Sequence, residues 1–309
     1  MTTAPDPFVH EALFYRDAGS YLAGTVPFIR DGLDAGEPVL VAAPPANLDL
    51  LRAELDSAAA RVRFIDMTRA GRNPGRIIPG VLRAFVDRHA PIHARIIGEP
   101  IWPGRSVTEY PACVQHEALI NTAFTGRTAT ILCPYDAVGL DAGVLADAER
   151  THPILVDGAR KPSAAYAGAQ PVVDAYNRPL PAPEPAVADH VFAGAEDLAG
   201  VRRLVGYYAD RAGLDPDRVA DLRTAVNELC TNTLVHSGGP GALRIWQDGA
   251  TLVCEVRDGG QLTDPLAGRV PAGPDALDGR GLLMVNYVCD LVRVHTGPAG
   301  TTIRAYMTL

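Results

Sequence analysis

A proline-rich segment divides this chain into two parts and predicts two domains. From Asn177 to Pro185 the sequence reads Asn-Arg-Pro-Leu-Pro-Ala-Pro-Glu-Pro. Alternating prolines favour extended backbone, because each proline fixes φ and lacks an amide donor. The 309 residues are also enough for two domains of ordinary size. We therefore predict one domain over 8–166, a linker over 167–188 and a second domain over 189–309.

Charge and composition exclude several classes of protein. A net charge of −8 argues against a protein that grips nucleic acid phosphates. The sequence has neither a continuous apolar stretch of membrane-spanning length nor an N-terminal signal pattern, so we expect a cytoplasmic protein. The 5 cysteines are scattered and form no C-x-x-C pair, which predicts reduced core residues and neither a disulfide framework nor a zinc site.

The first part alternates strand-like and helix-like segments. The strand-like segments are short and apolar, at 38–43, 62–66, 94–98 and 129–133. Longer periodic segments, such as 48–55 and 77–88, lie between them. This alternation predicts an α/β domain with a parallel sheet covered on both faces.

The second part has a different order: helix, helix, strand, strand, loop, helix, strand, strand. Asp215-Pro216 supplies a capping carboxylate and a proline at the first helical position, and the helix that follows is expected to reach about Val235. Asp248-Gly249 between two apolar segments is a strong hairpin signal. We predict an α+β sandwich with helices on one face of a mostly antiparallel sheet.

Glu228 and Asn232 are the chemically most informative pair of this second part. They are four residues apart on a predicted helix, so both side chains lie on one face, one turn apart. An amide oxygen can ligate Mg²⁺, and a neighbouring carboxylate can take a proton from a hydroxyl that attacks a phosphate. A solvated polar helix face would give the same spacing.

Three glycine-containing motifs follow in order. Asp258-Gly259-Gly260 ends a strand, where a carboxylate can accept a hydrogen bond from an amino group, although a tight turn has the same sequence. Gly279-Arg280-Gly281 precedes a helix, and a helix N-terminus favours anions such as phosphate. Gly300-Thr301-Thr302 opens the final strand. The Pro-, Gly- and Asp-rich residues between Gly260 and Gly279 are suited to a lid.

Together the four motifs resemble the GHKL family of ATP-binding domains, with the closest likeness to anti-sigma kinases of the RsbW and SpoIIAB type. The resemblance implies ATP and Mg²⁺ as cofactors, Glu228 as catalytic base, Asn232 as Mg²⁺ ligand and Asp258 as adenine reader. It also implies a nucleotide lining of Gly260, Gly279, Gly281 and Thr302, with Arg280 as a phosphate contact. The sequence departs from the family at the Gly-Gly-Gln-Leu that follows Asp258, where the family has a turn of the Asn-Gly-Pro-Gly type.

The first part resembles the MEDS sensory domain, which is thought to be related to RecA-like ATPases. The resemblance rests on segments such as His10–Tyr15, Gly36–Val41 and Gly98–Trp102. Where a phosphate-binding loop would fall, Ala42-Ala43-Pro44-Pro45 has neither glycines nor Lys-Ser/Thr, so we expect no nucleoside triphosphate there. Parallel-sheet logic places a small-molecule pocket at the carboxyl ends of the strands. The candidate lining residues are Glu99, Trp102, His116, Glu117, Tyr135 and Asp136.

A closed sheet end or a partner surface would explain those six polar residues equally well. His10, His116 and His152 show no metal-ligand spacing, so no metal is assigned to this part. The pairing of the two domains resembles RsbA-type anti-sigma regulators. That resemblance implies a homodimer that sequesters a sigma factor and phosphorylates Ser or Thr of an anti-anti-sigma (STAS) antagonist, under control of the sensory domain.

Three other functions remain open. A nucleotide-gated binding protein would need no phosphotransfer, and the altered turn after Asp258 is compatible with it. A sensor histidine kinase would need a phospho-accepting histidine on a dimerisation helix, whereas the linker is followed by His190 outside any long amphipathic pattern. A ligand-responsive transcription factor is disfavoured by the acidic charge and the lack of a DNA-binding motif.

Overall fold

The computed structural model describes residues 7–182, 188–270 and 279–309, and the chain divides into two compact units between Tyr176 and Asn177. Each unit contains its own sheet. The fold class predicted from the sequence is confirmed: the first sheet is mostly parallel and the second is antiparallel with helices packed on it. Among the described residues, no helix combines the length and apolarity that crossing a membrane requires.

The first unit is built on a seven-stranded sheet. Its strands are β1 (Val9–Tyr15), β2 (Val39–Ala43), β3 (Val62–Asp66), β4 (Ala94–Gly98), β5 (Ala129–Asp136), β6 (Ile154–Asp157) and β7 (Ala159–Pro162). They are arranged in the order β3-β2-β4-β5-β1-β6-β7, in which β6 and β7 pair antiparallel and the other neighbours pair parallel. The strand β1, which lies between β5 and β6, was not among the strands predicted from periodicity.

Helices cover both faces of this sheet. They are α1 (Ala18–Asp34), α2 (Pro45–Leu55), α3 (Met67–Ala70), α4 (Ala84–His89, after a π-helical turn at Ile78–Arg83), α5 (Tyr110–Ala123), α6 (Ala142–Thr151) and α7 (Ala169–Tyr176). Ile29 of α1 and Leu51 of α2 pack with Leu13 and Leu132 on one face. Because side chains alternate along a strand, His10 and Cys133 point to the opposite face, where α5 lies.

The predicted linker contains a helix that its composition did not predict. Within 167–188, α7 forms at Ala169–Tyr176, and its Val172 packs against Val114 and Ala118 of α5. The prolines that exclude a helix lie after Tyr176, and 169–176 carries a proline only near its start, at Pro171, where a helix tolerates one. Residues 183–187 of the segment lie outside the described residues.

The described part of the second unit contains a five-stranded antiparallel sheet and three α-helices. Its helices are α8 (Leu198–Ala212), α9 (Pro216–His236) and α10 (Gly281–Val288). Its strands are β8 (Ala188–Phe192), β9 (Gly241–Asp248), β10 (Thr251–Asp258), β11 (Leu291–Gly297) and β12 (Gly300–Thr308), in the order β11-β12-β10-β9-β8. The edge strand β8 was not predicted. The hairpin at Asp248-Gly249 is present, with Gly249 at φ 55.

The core of this unit positions α9 across the sheet. Leu222, Val226, Leu229 and Cys230 of α9 are buried against the helix-facing residues of β9, β10 and β12. The Asp215 side chain accepts a hydrogen bond from the Asp217 amide and caps the helix start. The polar residues Glu228 and Asn232 therefore occupy a fixed place beside the end of β10 and the start of α10.

Candidate functional site

A cavity of about 580 Å³ lies in the second unit, between α9, the ends of β10 and β12, the loop after β10 and the start of α10. It is lined by Leu229, Asn232, Thr233, His236, Ser237, Val256, Asp258, Gly260, Gln261, Leu262, Thr263, Asp264, Leu266, Ala267, Gly268, Val270, Gly279, Gly281, Leu282, Thr301 and Ile303. Parts of all four sequence motifs meet here. The cavity is the candidate functional site.

The helix α9 brings Glu228 and Asn232 to one end of the cavity, against the start of α10. A β-carbon placed on Gly281 would lie 2.9 Å from Glu228 Oε2 and 3.5 Å from Asn232 Nδ2. Glycine therefore permits the close approach of the two helices at this point. Asn232 lines the cavity, whereas Glu228 lies beside it, next to Gly281.

The start of α10 lies at the same end of the cavity. Gly279, Gly281 and Leu282 line the cavity, and the N-cap residue Arg280 makes no side-chain capping bond. The first amides of a helix have no intrahelical acceptor, and the helix dipole places partial positive charge there. This end of the cavity is therefore suited to an anion. The Arg280 side chain is exposed and is not among the cavity-lining residues.

Asp258 marks a second polar position, and two hydrogen bonds fix its carboxylate. Thr233 Oγ1 donates to Asp258 Oδ2 at 2.7 Å, and the Gly260 amide donates to Asp258 Oδ1 at 2.8 Å. Each oxygen keeps a further lone pair as acceptor. Leu229, Val256 and Ile303 supply apolar surface to the same cavity. A carboxylate held beside apolar side chains can accept a hydrogen bond from the amino group of a flat heteroaromatic ring.

The Gly-Thr-Thr motif contributes Thr301, not the predicted Thr302. Thr301 Oγ1 donates to the Gly260 carbonyl at 2.8 Å and lies 2.9 Å from Thr296 Oγ1. Thr301 and Ile303 line the cavity, and Thr302 does not. Side chains alternate along β12, so Thr302 is directed to the other face of the sheet. The motif was recognised, but its register on the strand was not.

The loop after β10 covers the cavity and is tied to α10. Asn286 Nδ2 donates to the Gly268 carbonyl at 3.0 Å, and the Leu262 amide donates to Thr296 Oγ1 at 2.9 Å. Residues Gln261–Val270 supply one wall of the cavity. The rest of the predicted lid, residues 271–278, lies outside the described residues.

The six candidates of the first unit do not form one set of contacts. Glu99 is buried, accepting a hydrogen bond from Tyr15 Oη at 3.1 Å and another from Asn47 Nδ2 at 2.8 Å. Burial raises the pKa of Glu99 to about 8. Trp102 lies under the Arg105 guanidinium, 4.0 Å from ring centre to Cζ. Asp136 accepts hydrogen bonds from the amides that follow it, at positions 138 and 139.

His116, Glu117 and Tyr135 are buried on the α5 side of the sheet. Glu117 contacts two residues that sequence analysis did not connect with it, His10 and His152, and Cys133 joins the same group. These residues come from β1, α5, β5 and the position directly after α6, so no sequence spacing relates them.

Both units match models of known protein families. Residues 9–153 match the MEDS model, described as the methanogen/methylotroph DcmR sensory domain, and residues 192–307 match the model of the histidine kinase-like ATPase domain. No curated protein matches the chain.

Two solved structures are similar over part of the chain. One is the crystal structure of the RsbU and RsbW domains of Rv1364c from Mycobacterium tuberculosis, at 19% identity and a TM-score of 0.29, covering 40% of this chain. This chain spans 33% of that chain's length. The other is the SiaB-SiaC complex from Pseudomonas aeruginosa, at 13% identity and a TM-score of 0.31, covering 38% of this chain and 88% of that one.

Proposed function

Starting from a chain that joins a MEDS domain to a histidine kinase-like ATPase domain, we propose that it is an anti-sigma regulatory kinase. Its ATPase domain binds Mg-ATP and sequesters a sigma factor. The same domain phosphorylates a serine or threonine of an anti-anti-sigma STAS protein. The MEDS domain biases this exchange through a ligand or a partner, and the kinase works as a homodimer.

One observation carries this proposal. Asn232, Glu228 and the start of α10 converge at one end of the cavity, and Asp258 and apolar side chains also line the cavity. A Mg-nucleotide needs an oxygen ligand for the cation, amides for its phosphates and an acceptor for its base amino group. The described residues supply each of these. They therefore fit the group that a histidine kinase-like ATPase domain implies.

Each residue has a definite part in the proposed reaction. Asp258, oriented by Thr233 and the Gly260 amide, accepts a hydrogen bond from the adenine amino group. The amides at the start of α10 hold phosphate oxygens. The side-chain oxygen of Asn232 would hold Mg²⁺, which would neutralise negative charge on the phosphates. Glu228 takes the proton from the attacking serine or threonine hydroxyl. The oxygen of that hydroxyl bonds to the γ-phosphorus, and ADP leaves.

One observation favours a second function, a nucleotide-gated binding protein without phosphotransfer. Glu228 is not among the cavity-lining residues, and its Oε2 lies against Gly281. If α10 stays there when nucleotide binds, the carboxylate could link α9 to α10 without reaching an acceptor hydroxyl. Nucleotide would then stabilise a partner-binding conformation only.

The histidine kinase alternative has less support. Its candidate phospho-acceptor, His190, lies in β8 and is paired with Leu243 of β9. A strand inside the ATPase sheet is not the dimerisation helix that such a kinase needs.

The test is to incubate the purified protein with Mg-ATP and lysate of its own host, capture bound proteins and map new phosphoserine and phosphothreonine. Glu228→Ala is run in parallel, with Glu196→Ala as a control at an exposed glutamate of the same unit. Co-capture of a sigma factor, with an antagonist phosphorylated by wild type and Glu196→Ala but not Glu228→Ala, supports the kinase. ATP-dependent capture with no Glu228-dependent phosphorylation supports the gated binding protein.

A further inference from the structure

The first unit contains a buried cluster of four side chains that carry metal-ligating atoms. His10 lies on β1, Glu117 on α5, Cys133 on β5, and His152 directly after α6. One ligand atom from each lies within 4.8 Å of all the others. All four residues are at most 1% exposed.

Hydrogen bonds outside the cluster orient both imidazoles. His10 Nδ1 lies 3.1 Å from Asn121 Oδ1, and the Asn121 amide nitrogen donates to the Thr151 carbonyl at 2.8 Å, so the oxygen is the atom that faces His10. His152 Nδ1 lies 2.8 Å from the Ala148 carbonyl, which can only accept. In both neutral rings the proton therefore sits on Nδ1. The lone pair of each Nε2 points into the cluster, as in metal-binding histidines whose other nitrogen donates outward.

These inward lone pairs face a carboxylate. Glu117 Oε2 lies 3.0 Å from His152 Nε2 and 3.5 Å from His10 Nε2. Neither oxygen of Glu117 has a hydrogen-bond partner among the described residues, and the same holds for the Tyr135 hydroxyl. Buried polar atoms are almost always satisfied, and lone pairs facing one another repel. A cation at the centre would bind Glu117 Oε2 and both Nε2 atoms and remove this repulsion.

We propose that His10, Glu117, Cys133 and His152 bind one Zn²⁺ ion as a closed tetrahedral site. With bonds of about 2.0–2.3 Å, the ligand atoms of such a site lie roughly 3.3–3.8 Å apart. The cluster already has Cys133 Sγ at 3.4 Å and Glu117 Oε2 at 3.5 Å from His10 Nε2. A thiolate with two imidazoles selects a borderline or soft first-row ion and disfavours Mg²⁺ and Ca²⁺.

Binding of Zn²⁺ would release the thiol proton of Cys133, and Zn²⁺ with one thiolate and one carboxylate leaves the buried site without net charge.

The test uses the full chain, purified through a tag without histidine, equilibrated with Zn²⁺ and then dialysed against metal-free buffer. Elemental analysis should find about one Zn²⁺ per chain in wild type. The Zn²⁺ affinity of Cys133→Ser and of Glu117→Gln should be at least tenfold weaker than that of wild type. Cys113→Ser is the matched control, because Cys113 is a buried cysteine of the same unit and is not in the cluster. It should keep the metal.

Co²⁺ substitution of wild type keeps the proposal testable if the variants fail to fold. A tetrahedral site with a thiolate ligand should give intense visible d–d absorption and a sulfur-to-cobalt charge-transfer band, and Zn²⁺ should displace both. Folded wild type that retains no stoichiometric Zn²⁺ and gives no charge-transfer band would overturn the proposal. The cluster would then be a metal-free network in which His152 pairs directly with Glu117. Equal loss of metal in Cys133→Ser and Cys113→Ser would also overturn it.

Discussion

Asp258 is the residue whose replacement should weaken nucleotide binding most selectively. In Asp258→Asn, the amide nitrogen would face one of the two donors that now hold the carboxylate, Thr233 Oγ1 or the Gly260 amide. The variant loses a hydrogen bond and the acceptor for a base amino group. We expect ATP affinity to fall roughly 10–100-fold, measured by calorimetry. Asp248→Asn, in the β9–β10 turn, should bind ATP as wild type does, and equal affinities in both variants would contradict this role.

Glu99 should make the first unit less stable as pH rises. Its folded pKa is raised from 4.5 to about 8 by burial, so the folded state binds more protons than the unfolded state between these values. The free energy of unfolding of the first unit is then unaffected below about pH 4.5, falls as pH rises from 4.5 to about 8, and is lowest above about pH 8. The loss is on the order of a few kcal/mol.

Glu99→Gln isolates this effect, because glutamine resembles the protonated acid and does not titrate. Urea unfolding from pH 5 to pH 8 should show a decline in wild type that the variant lacks. Glu54→Gln, at an exposed position of α2, should keep the wild-type profile. The same pH profile in wild type and Glu99→Gln would contradict the assignment.

At the scale of residues, sequence analysis identified positions that act through neighbours in the chain and missed those that act through space. The spacing of Glu228 and Asn232 placed both correctly on one helix, because helical periodicity is local. The cluster around Glu117 needs strand order, which brings β1 beside β5, and no short-range pattern encodes that order. Thr302 was predicted to line the cavity, whereas Thr301 lines it, because the register of β12 depends on its partner strand β10.

At the scale of elements, the turn between β11 and β12 should be highly sensitive to substitution at one glycine. Gly300 has φ 119, and an added β-carbon would lie 2.0 Å from the Asp258 carbonyl oxygen. We expect Gly300→Ala to destabilise the second unit by roughly 2–4 kcal/mol and to weaken ATP binding, because the turn lies against the Asp258 backbone.

Gly297→Ala is the matched control in the same turn, since an added β-carbon there meets no atom within 4 Å among the described residues. Chemical denaturation and ATP binding are compared in both variants. A loss in Gly297→Ala as large as that in Gly300→Ala would contradict the steric account.

Elements with strong local signals could be predicted, and those without could not. Asp215-Pro216 marked the start of α9, and Asp248-Gly249 marked the hairpin of β9 and β10. By contrast, α7 and β8 border a proline-rich segment, and their structure depends on partners: α7 packs on α5, and β8 pairs with β9. Tertiary contacts, which composition does not report, decide such elements.

At the scale of the whole molecule, each unit carries its own buried or enclosed polar chemistry. The cavity with Asn232 and Asp258 belongs entirely to the second unit, and the cluster with Glu117 belongs entirely to the first. The division into two domain families could be predicted from the sequence, because the motifs of each are contiguous in the chain. We therefore expect cluster variants such as Glu117→Gln to bind ATP with wild-type affinity in the folded protein.

The central claim is that Glu228 acts in phosphotransfer and not in nucleotide binding. The most direct measurement is the rate of phosphate transfer to the antagonist at saturating Mg-ATP, together with the ATP dissociation constant, for wild type, Glu228→Gln and Glu196→Gln. If Glu228 is the base, Glu228→Gln should transfer phosphate at least a hundredfold more slowly, with its ATP affinity and the rate of Glu196→Gln unchanged. A wild-type transfer rate in Glu228→Gln, or an ATP affinity that falls as much as the transfer rate does, would contradict it.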